Sequence, residues 1–239
     1  EVDSSTSIAV SYTGSYPGAN IALLSALDAL KVNYTIIASC GASEYGATNP
    51  NMTWVDIENQ LFKHGLIQNK SFYASIGGEG DIGLNMLDAG RKVCIESIKN
   101  NNLNLLLIEN RKNNIKARMN YYNSEIGLNN IQVFINIGGG IYTVGDSLSR
   151  RHLQAGIIYP SERSKIDNIT IVKEFLNNDI PVLNINHINN LMSWYGLAFP
   201  PNFTTKYGEG SLYYLKNQYN PIIILVSFII ASSSVFIIG

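Results

Sequence analysis

The chain has 239 residues and carries 17 Lys and Arg against 18 Asp and Glu, a formal net charge of −1. That balance excludes a protein that holds nucleic acid or a long polyanion by bulk charge. Its two cysteines, Cys40 and Cys94, exclude a disulfide scaffold and a cysteine-rich zinc site; they read as free buried thiols, with a Cys40–Cys94 pair as the alternative. Charged residues make up only 15%, below the usual quarter or so. Much of the polar surface is therefore expected to be Asn, Ser, Tyr and Thr.

In chain order, residues 8–12 form an apolar strand. A polar turn, Thr13-Gly14-Ser15-Tyr16-Pro17-Gly18, then feeds an Ala- and Leu-rich helix reaching Leu30. Pro17 suits a first helical turn, where its missing N–H would have had no partner. Residues 34–39 are a second, β-branched strand, followed by a small-residue loop over 40–50. Thr53 is placed as an N-cap with Asp56 in the first turn, opening a helix that runs to His64 and stops at Gly65. A third strand over 72–76 opens into Gly77-Gly78-Glu79-Gly80-Asp81-Ile82-Gly83. The pattern over 84–99 predicts a helix with Leu87, Val93, Cys94 and Ile98 towards a sheet. A fourth strand (103–108), a polar helix (113–126) and a fifth strand (131–137) follow, the last ending in Gly138-Gly139-Gly140. Residues 141–163 are less regular and include Arg150-Arg151-His152 and a strand-like stretch at 156–160. A helix (166–178), a last strand (181–186) and a short helix (187–195) complete the pattern.

Strands alternating with helices predict an α/β fold: a doubly wound, mostly parallel sheet with helices on both faces. Right-handed crossovers put every strand's carboxyl end on one edge. The polar and glycine-rich loops follow strands one, two, three and five, so they converge where open α/β sheets bind ligands.

Several residues in those loops carry chemistry. Ser15 leaves a strand for a helix, and three roles stay open: nucleophile, anion binder with Thr13 and Gly14, or plain helix cap. Its surroundings miss the Gly-x-Ser-x-Gly spacing, and neither phosphate-loop pattern is present. Glu79 and Asp81 are candidate base or hard-cation ligands, or acids turned outward, with Gly77 and Gly78 as backbone contacts. Ser43 and Glu44 from the second loop are candidate ligand contacts, and Glu44 and Asp56 are candidates to complete an acidic cluster. Asn136, Gly138 and Gly139 would let a ligand lie against bare backbone, or simply form a tight turn. Arg150 and Arg151 suit carboxylates, or a solvated surface run. Cys40 is a candidate reactive thiol. His64 and His187 lack metal-ligand spacing; no metal is assigned, and the cofactor is left unknown. Five sequons, at Asn33, Asn51, Asn69, Asn168 and Asn202, are expected by chance in so asparagine-rich a chain.

The chain divides by pattern into an α/β domain (1–196), a linker (197–220) and an uncharged run (221–239) read as a membrane-spanning helix. Tyr213, Tyr214 and Tyr219 precede that run like an interfacial aromatic belt. The first residue is Glu1, so the chain is read as a fragment or processed product.

Together, residues 11–20, 41–50 with Thr53-Trp54-Val55-Asp56, 77–83 and 134–140 resemble the bacterial poly-gamma-glutamate system protein family, over almost the whole chain. The resemblance implies a role beside the membrane machinery that makes and exports a capsule-type polymer. It also implies attachment to the cell membrane with the α/β domain on the extracytoplasmic side, and synthesis or export proteins as partners. It brings no catalytic residues. The expectation is an accessory protein that binds or processes γ-glutamyl chains, an anionic ligand, with γ-glutamyl amide hydrolase or transferase as the enzymatic form. A non-catalytic assembly subunit and an unrelated small-molecule or nucleotide-binding enzyme are the alternatives. Under the first reading, Arg150 and Arg151 meet carboxylates, Ser15 binds or attacks, and Glu79 and Asp81 act as base or cation ligands.

Overall fold

The computed structural model describes residues 3–42, 46–146, 153–166, 169–196, 222 and 225–228. It divides into two units, Glu1–His187 and Ile188–Gly239. In the first, the order is β1 (Ser7–Thr13), α1 (Pro17–Leu30), β2 (Asn33–Ser39), α2 (Trp54–Lys63), β3 (Tyr73–Ser75), α3 (Asp88–Asn100), β4 (Asn104–Leu106), α4 (Arg111–Glu125), β5 (Ile131–Ile137), α5 (Ile141–Val144), β6 (Gly156–Ile158), α6 (Ile171–Asn177) and β7 (Val182–Ile185). In the second unit, α7 spans Ile188–Trp194.

The strands form one seven-stranded sheet in the order β4-β3-β2-β1-β5-β7-β6. Every pairing is parallel except β6 with β7, which is antiparallel. Side chains alternate between the two faces along each strand, and both faces are covered. On one face Val10, Tyr12, Ile36 and Ile135 pack with Leu24 and Leu27 of α1, Trp54 and Val55 of α2, and Ile98 of α3. On the other, Ala9, Ile37, Phe134 and Val182 pack with Ile115, Met119 and Tyr122 of α4, Tyr142 of α5, and Phe175 and Leu176 of α6. Phe134 stacks on Phe175 with ring centroids 4.2 Å apart, and Tyr122 meets Phe175 edge-on at 5.4 Å. This is the expected α/β architecture with helices on both faces.

Local chemistry explains where several elements begin. Thr53 caps α2, with its N–H donating to Asp56 Oδ2 at 2.8 Å, a reciprocal capping box. The helix predicted from residue 84 starts only at Asp88. Gly83, at φ 72°, accepts from the Met86 N–H and turns the chain there. Leu87 is consequently 83% exposed rather than sheet-facing. The helix predicted from residue 113 starts at Arg111 because the Asn110 side chain accepts from the Asn113 N–H at 3.1 Å. The helix predicted from residue 166 starts at Ile171, where Thr170 Oγ1 accepts from the Lys173 N–H at 3.0 Å. The fourth strand pairs only over 104–106.

The residues of the 197–220 linker lie outside the described ones, as do most of 221–239; Ile222 and residues 225–228 are helical. Among the described residues, no helix is long and apolar enough to cross a membrane.

Candidate functional site

β1 lies between β2 and β5, so the direction of strand addition reverses beside it. The carboxyl ends of β1 and β5 thus define the topological switch point of the sheet, the general ligand position in such folds. The loops there touch. Gly14 donates its N–H to Ser39 O at 3.0 Å, and Gly14 O accepts from the Ala47 N–H at 2.7 Å. Gly138, at φ 96°, donates to Ile185 O; a Cβ built on it would collide with Thr13 Oγ1 and come within 3.2 Å of Tyr16 Cδ2. Only glycine fits that approach. Asn20, fully buried in α1, donates Nδ2 to Thr13 O at 2.9 Å and pins the first turn. Asn136 Nδ2 donates to Gly138 O at 2.9 Å and to Asn184 Oδ1 at 2.8 Å. Thr13, Gly14, Asn136 and Gly138 therefore come together, with Thr13 and Asn136 as buried supports of the loop backbones. Ser15 donates its N–H to Thr13 Oγ1 at 3.4 Å, and Gly139 is exposed beside this contact. Ser43, Glu44, Arg150 and Arg151 lie outside the described residues.

The sheet face under α4 and α5 turns polar towards its carboxyl edge. Strand register aligns Ser11 with Asn136 and Asn184, and Thr13 with Ser39 and Ser75. Above this polar band sits Asp81. Its Oδ1 accepts from Ser75 Oγ at 2.8 Å, and its Oδ2 accepts from Arg118 Nη2 at 2.6 Å and Asn114 Nδ2 at 3.1 Å. Arg118 also donates Nε to Asn114 Oδ1 and Nη2 to Ser75 Oγ, and Ser75 meets Ser39 at 2.9 Å. Asp81 adopts φ 60°, a left-handed conformation held by this network. Gly77 and Gly78, both at positive φ, lead into the turn. The two neighbouring acids therefore part company: Glu79 is exposed, while Asp81 is buried with both oxygens engaged.

Of the expected acidic cluster, Glu44 lies outside the described residues, and Asp56 is engaged away from Glu79 and Asp81. Asp56 accepts from Thr53 at Oδ2 and from Asn101 Nδ2 at Oδ1. Burial works against its charge, but the hydrogen bonds from Thr53, Ser97 and Asn101 outweigh that and hold it below the ordinary carboxylate range. Among the described residues, no group of three or more His, Cys, Asp or Glu is placed to hold a metal. His64 ends α2 and is exposed.

The edge of this compartment is closed by α5. Tyr142 donates its hydroxyl to Glu109 O, bridging the chain after β5 to the end of β4. Burial raises the Tyr142 pKa, with Asp81 and Glu109 adding to the rise and Arg111 opposing it, so these charges surround one phenol. Arg111, the first residue of α4, has Nε and Nη2 shielded from solvent and without a hydrogen-bond partner.

A cavity of about 240 Å³ opens on the opposite face between the loop after β2 and α3. Cys40, Gly41, Ala47, Thr53, Met86 and Cys94 are among its lining residues. Both thiols are free and buried. The neighbouring Cys94 thiol, together with burial, pushes Cys40 far above the ordinary thiol range. That favours the neutral thiol at Cys40, whereas thiolate is the reactive form. Among the described residues, its lining contains no charged side chain.

Ser75, Asn114, Arg118, Arg111 and Tyr142 were not given site roles from the sequence, although Arg111 was placed after the fourth strand and Arg118 on the polar helix. One local signal existed: Ile115, Met119 and Tyr122 form a buried stripe in α4, which places Asn114 and Arg118, four apart, alongside it. Fold and site together define an α/β protein with a polar compartment at the carboxyl edge of its sheet, beside the switch point. No family model, curated protein or solved structure matches the chain.

Proposed function

We propose that the protein is an accessory component of poly-gamma-glutamate biosynthesis or export, and that its α/β domain binds γ-glutamyl chains through their carboxylates. One observation supports this reading: described residues of three of the stretches on which the family resemblance rests meet at one sheet edge, where Gly14 contacts Ala47 and Thr13 contacts Gly138. In the same reading the uncharged run 221–239 anchors the chain in the cell membrane, with the domain on the extracytoplasmic side beside the synthesis or export proteins.

Binding is favoured over hydrolysis because Asp81, one of the two candidate bases, has both carboxylate oxygens engaged by the protein itself and is not free to serve Ser15; Glu79, the other, is exposed. The test is polymer yield and chain length in the host lacking this chain, complemented with wild type or Ser15→Ala. Wild type restores both, and Ser15→Ala does the same. A host whose polymer is unchanged by loss of the chain refutes the proposed process. A Ser15→Ala protein that folds but fails to complement restores the nucleophile role.

A further inference from the structure

Cys40 follows β2 and Cys94 sits in α3, and their thiols lie within hydrogen-bonding reach of each other. Burial alone would leave such a pair inert. Both residues, however, line the cavity of about 240 Å³ between the loop after β2 and α3, which gives a small molecule a way to them. That volume falls below the ~300 Å³ of the smallest drug-sized pockets, so the occupant is small. Gly41, Met86 and Val93 give the wall an apolar character, Thr48 and Asn49 add neutral polar groups, and no charged side chain is present among the described residues. The occupant is therefore uncharged as well. Cys94 is the less covered of the two residues, 5% exposed against 1% for Cys40.

We propose that Cys40 and Cys94 form a dithiol site served by this cavity, in which a small neutral disulfide oxidises the pair to an internal disulfide. Cys94 attacks first. The Cys40 thiol donates to its sulfur, which lowers the Cys94 pKa against burial and the nearby Asp56 charge. The Cys94 thiolate attacks one sulfur of the bound disulfide. A bond forms between Cys94 and that sulfur, the S–S bond of the small molecule breaks, and the departing thiolate takes up the proton that Cys94 had lost. Cys94 then carries no charge, so the largest cause that keeps Cys40 protonated is gone. Cys40 attacks the Cys94 sulfur, the Cys40–Cys94 bond forms, and the second small thiol leaves with the proton from Cys40. The protein loses two electrons and two protons, and the small disulfide gains them as two thiols. The product ties the end of β2 to α3. This chemistry does not depend on the polymer role proposed above.

The test incubates the reduced full chain with bis(2-hydroxyethyl) disulfide, which is small and neutral, or with glutathione disulfide, which is larger and carries carboxylates. Intact-mass spectrometry and non-reducing peptide mapping follow the products. The folded chain is expected to lose two hydrogens and to yield a Cys40–Cys94 peptide. The rate advantage of the neutral over the charged disulfide should be larger in the folded chain than in the urea-unfolded one. Cys40→Ser should stop at a mixed disulfide on Cys94, whereas Cys94→Ser should react more slowly at Cys40. The crosslinked protein should melt about 4–16 °C higher than the reduced one, because the bridge constrains the unfolded chain. A crosslink that forms only in urea overturns the proposal, because the fold then denies access. Equal rate advantages in the folded and unfolded chains overturn the role of the cavity. A wild-type mixed disulfide that never resolves overturns the pairing, and faster reaction of Cys94→Ser than of Cys40→Ser overturns the order of attack.

Discussion

Replacing Arg118 with Met isolates the buried ion pair at the centre of the polar compartment. Arg118 Nη2 lies 2.6 Å from Asp81 Oδ2, and the two side chains are 2% and 4% exposed. Without the guanidinium, Asp81 keeps hydrogen bonds from Ser75 and Asn114 but loses its only counter-ion among the described residues. Breaking a buried pair from one side costs about 3–5 kcal/mol. For a chain of this size each kcal/mol lowers the melting temperature by about 2–4 °C, so the drop is about 6–20 °C. Asp81→Asn strands the opposite charge and falls in the same range. The double variant, Asp81→Asn with Arg118→Met, buries no charge and is expected to be more stable than either single one. Urea unfolding followed by circular dichroism measures all three. Single variants within about 0.5 kcal/mol of wild type, the range of ordinary surface changes, or strictly additive effects, would refute the reasoning.

Glu58 is fully buried and accepts from the Tyr12 hydroxyl and from Ser71, while its Oε2 has no partner; burial raises its pKa. The native state therefore binds this proton more tightly than the unfolded chain, so the stability it contributes is complete below the ordinary glutamate pKa and is lost as pH rises through the raised value. Glu58→Gln should flatten the fall in urea midpoint as pH rises above the ordinary glutamate range, the direction set by that upward shift, and equal slopes in the two proteins would refute it. Gly138→Ala forces a side chain onto Thr13 Oγ1 at φ 96°, with strain of about 1–3 kcal/mol from the backbone alone. Its melting temperature should drop, and an unchanged one would show that the β1 and β5 loops are not in contact.

The four loops were legible because turn chemistry is local. Gly77 and Gly138 stand where the backbone has positive φ, and Pro17 opens α1. The strand-helix alternation was legible for a similar reason, since each element carries its own period. The Asp81–Arg118 pair was not, because its partners are 37 residues apart and only the packing of α4 on the sheet brings them together. Leu87 was misplaced because its spacing fits a helical stripe, while the turn at Gly83 delays the helix by four residues. The dry edge of Arg111 has no sequence signature at all. It depends on what covers two nitrogen atoms, and a formal charge count treats Arg111 and an exposed Lys112 alike.

That last point bears on how a chain of net charge −1 would select an anion. Bulk charge acts over a Debye length and is screened by salt, and this chain has almost none. Short-range contacts work differently. Asn20, Asn136, Asn114 and Asp81 are bonded to the protein, so they fix the loop backbones before any ligand arrives. A rigid wall of this kind lowers the ordering cost of binding. The groups that drew notice in the sequence, Thr13 and Asp81, are supports of that wall. Selectivity under the proposed reading thus comes from short-range contacts at a pre-formed sheet edge, and the binding should survive moderate salt that would abolish a purely long-range attraction.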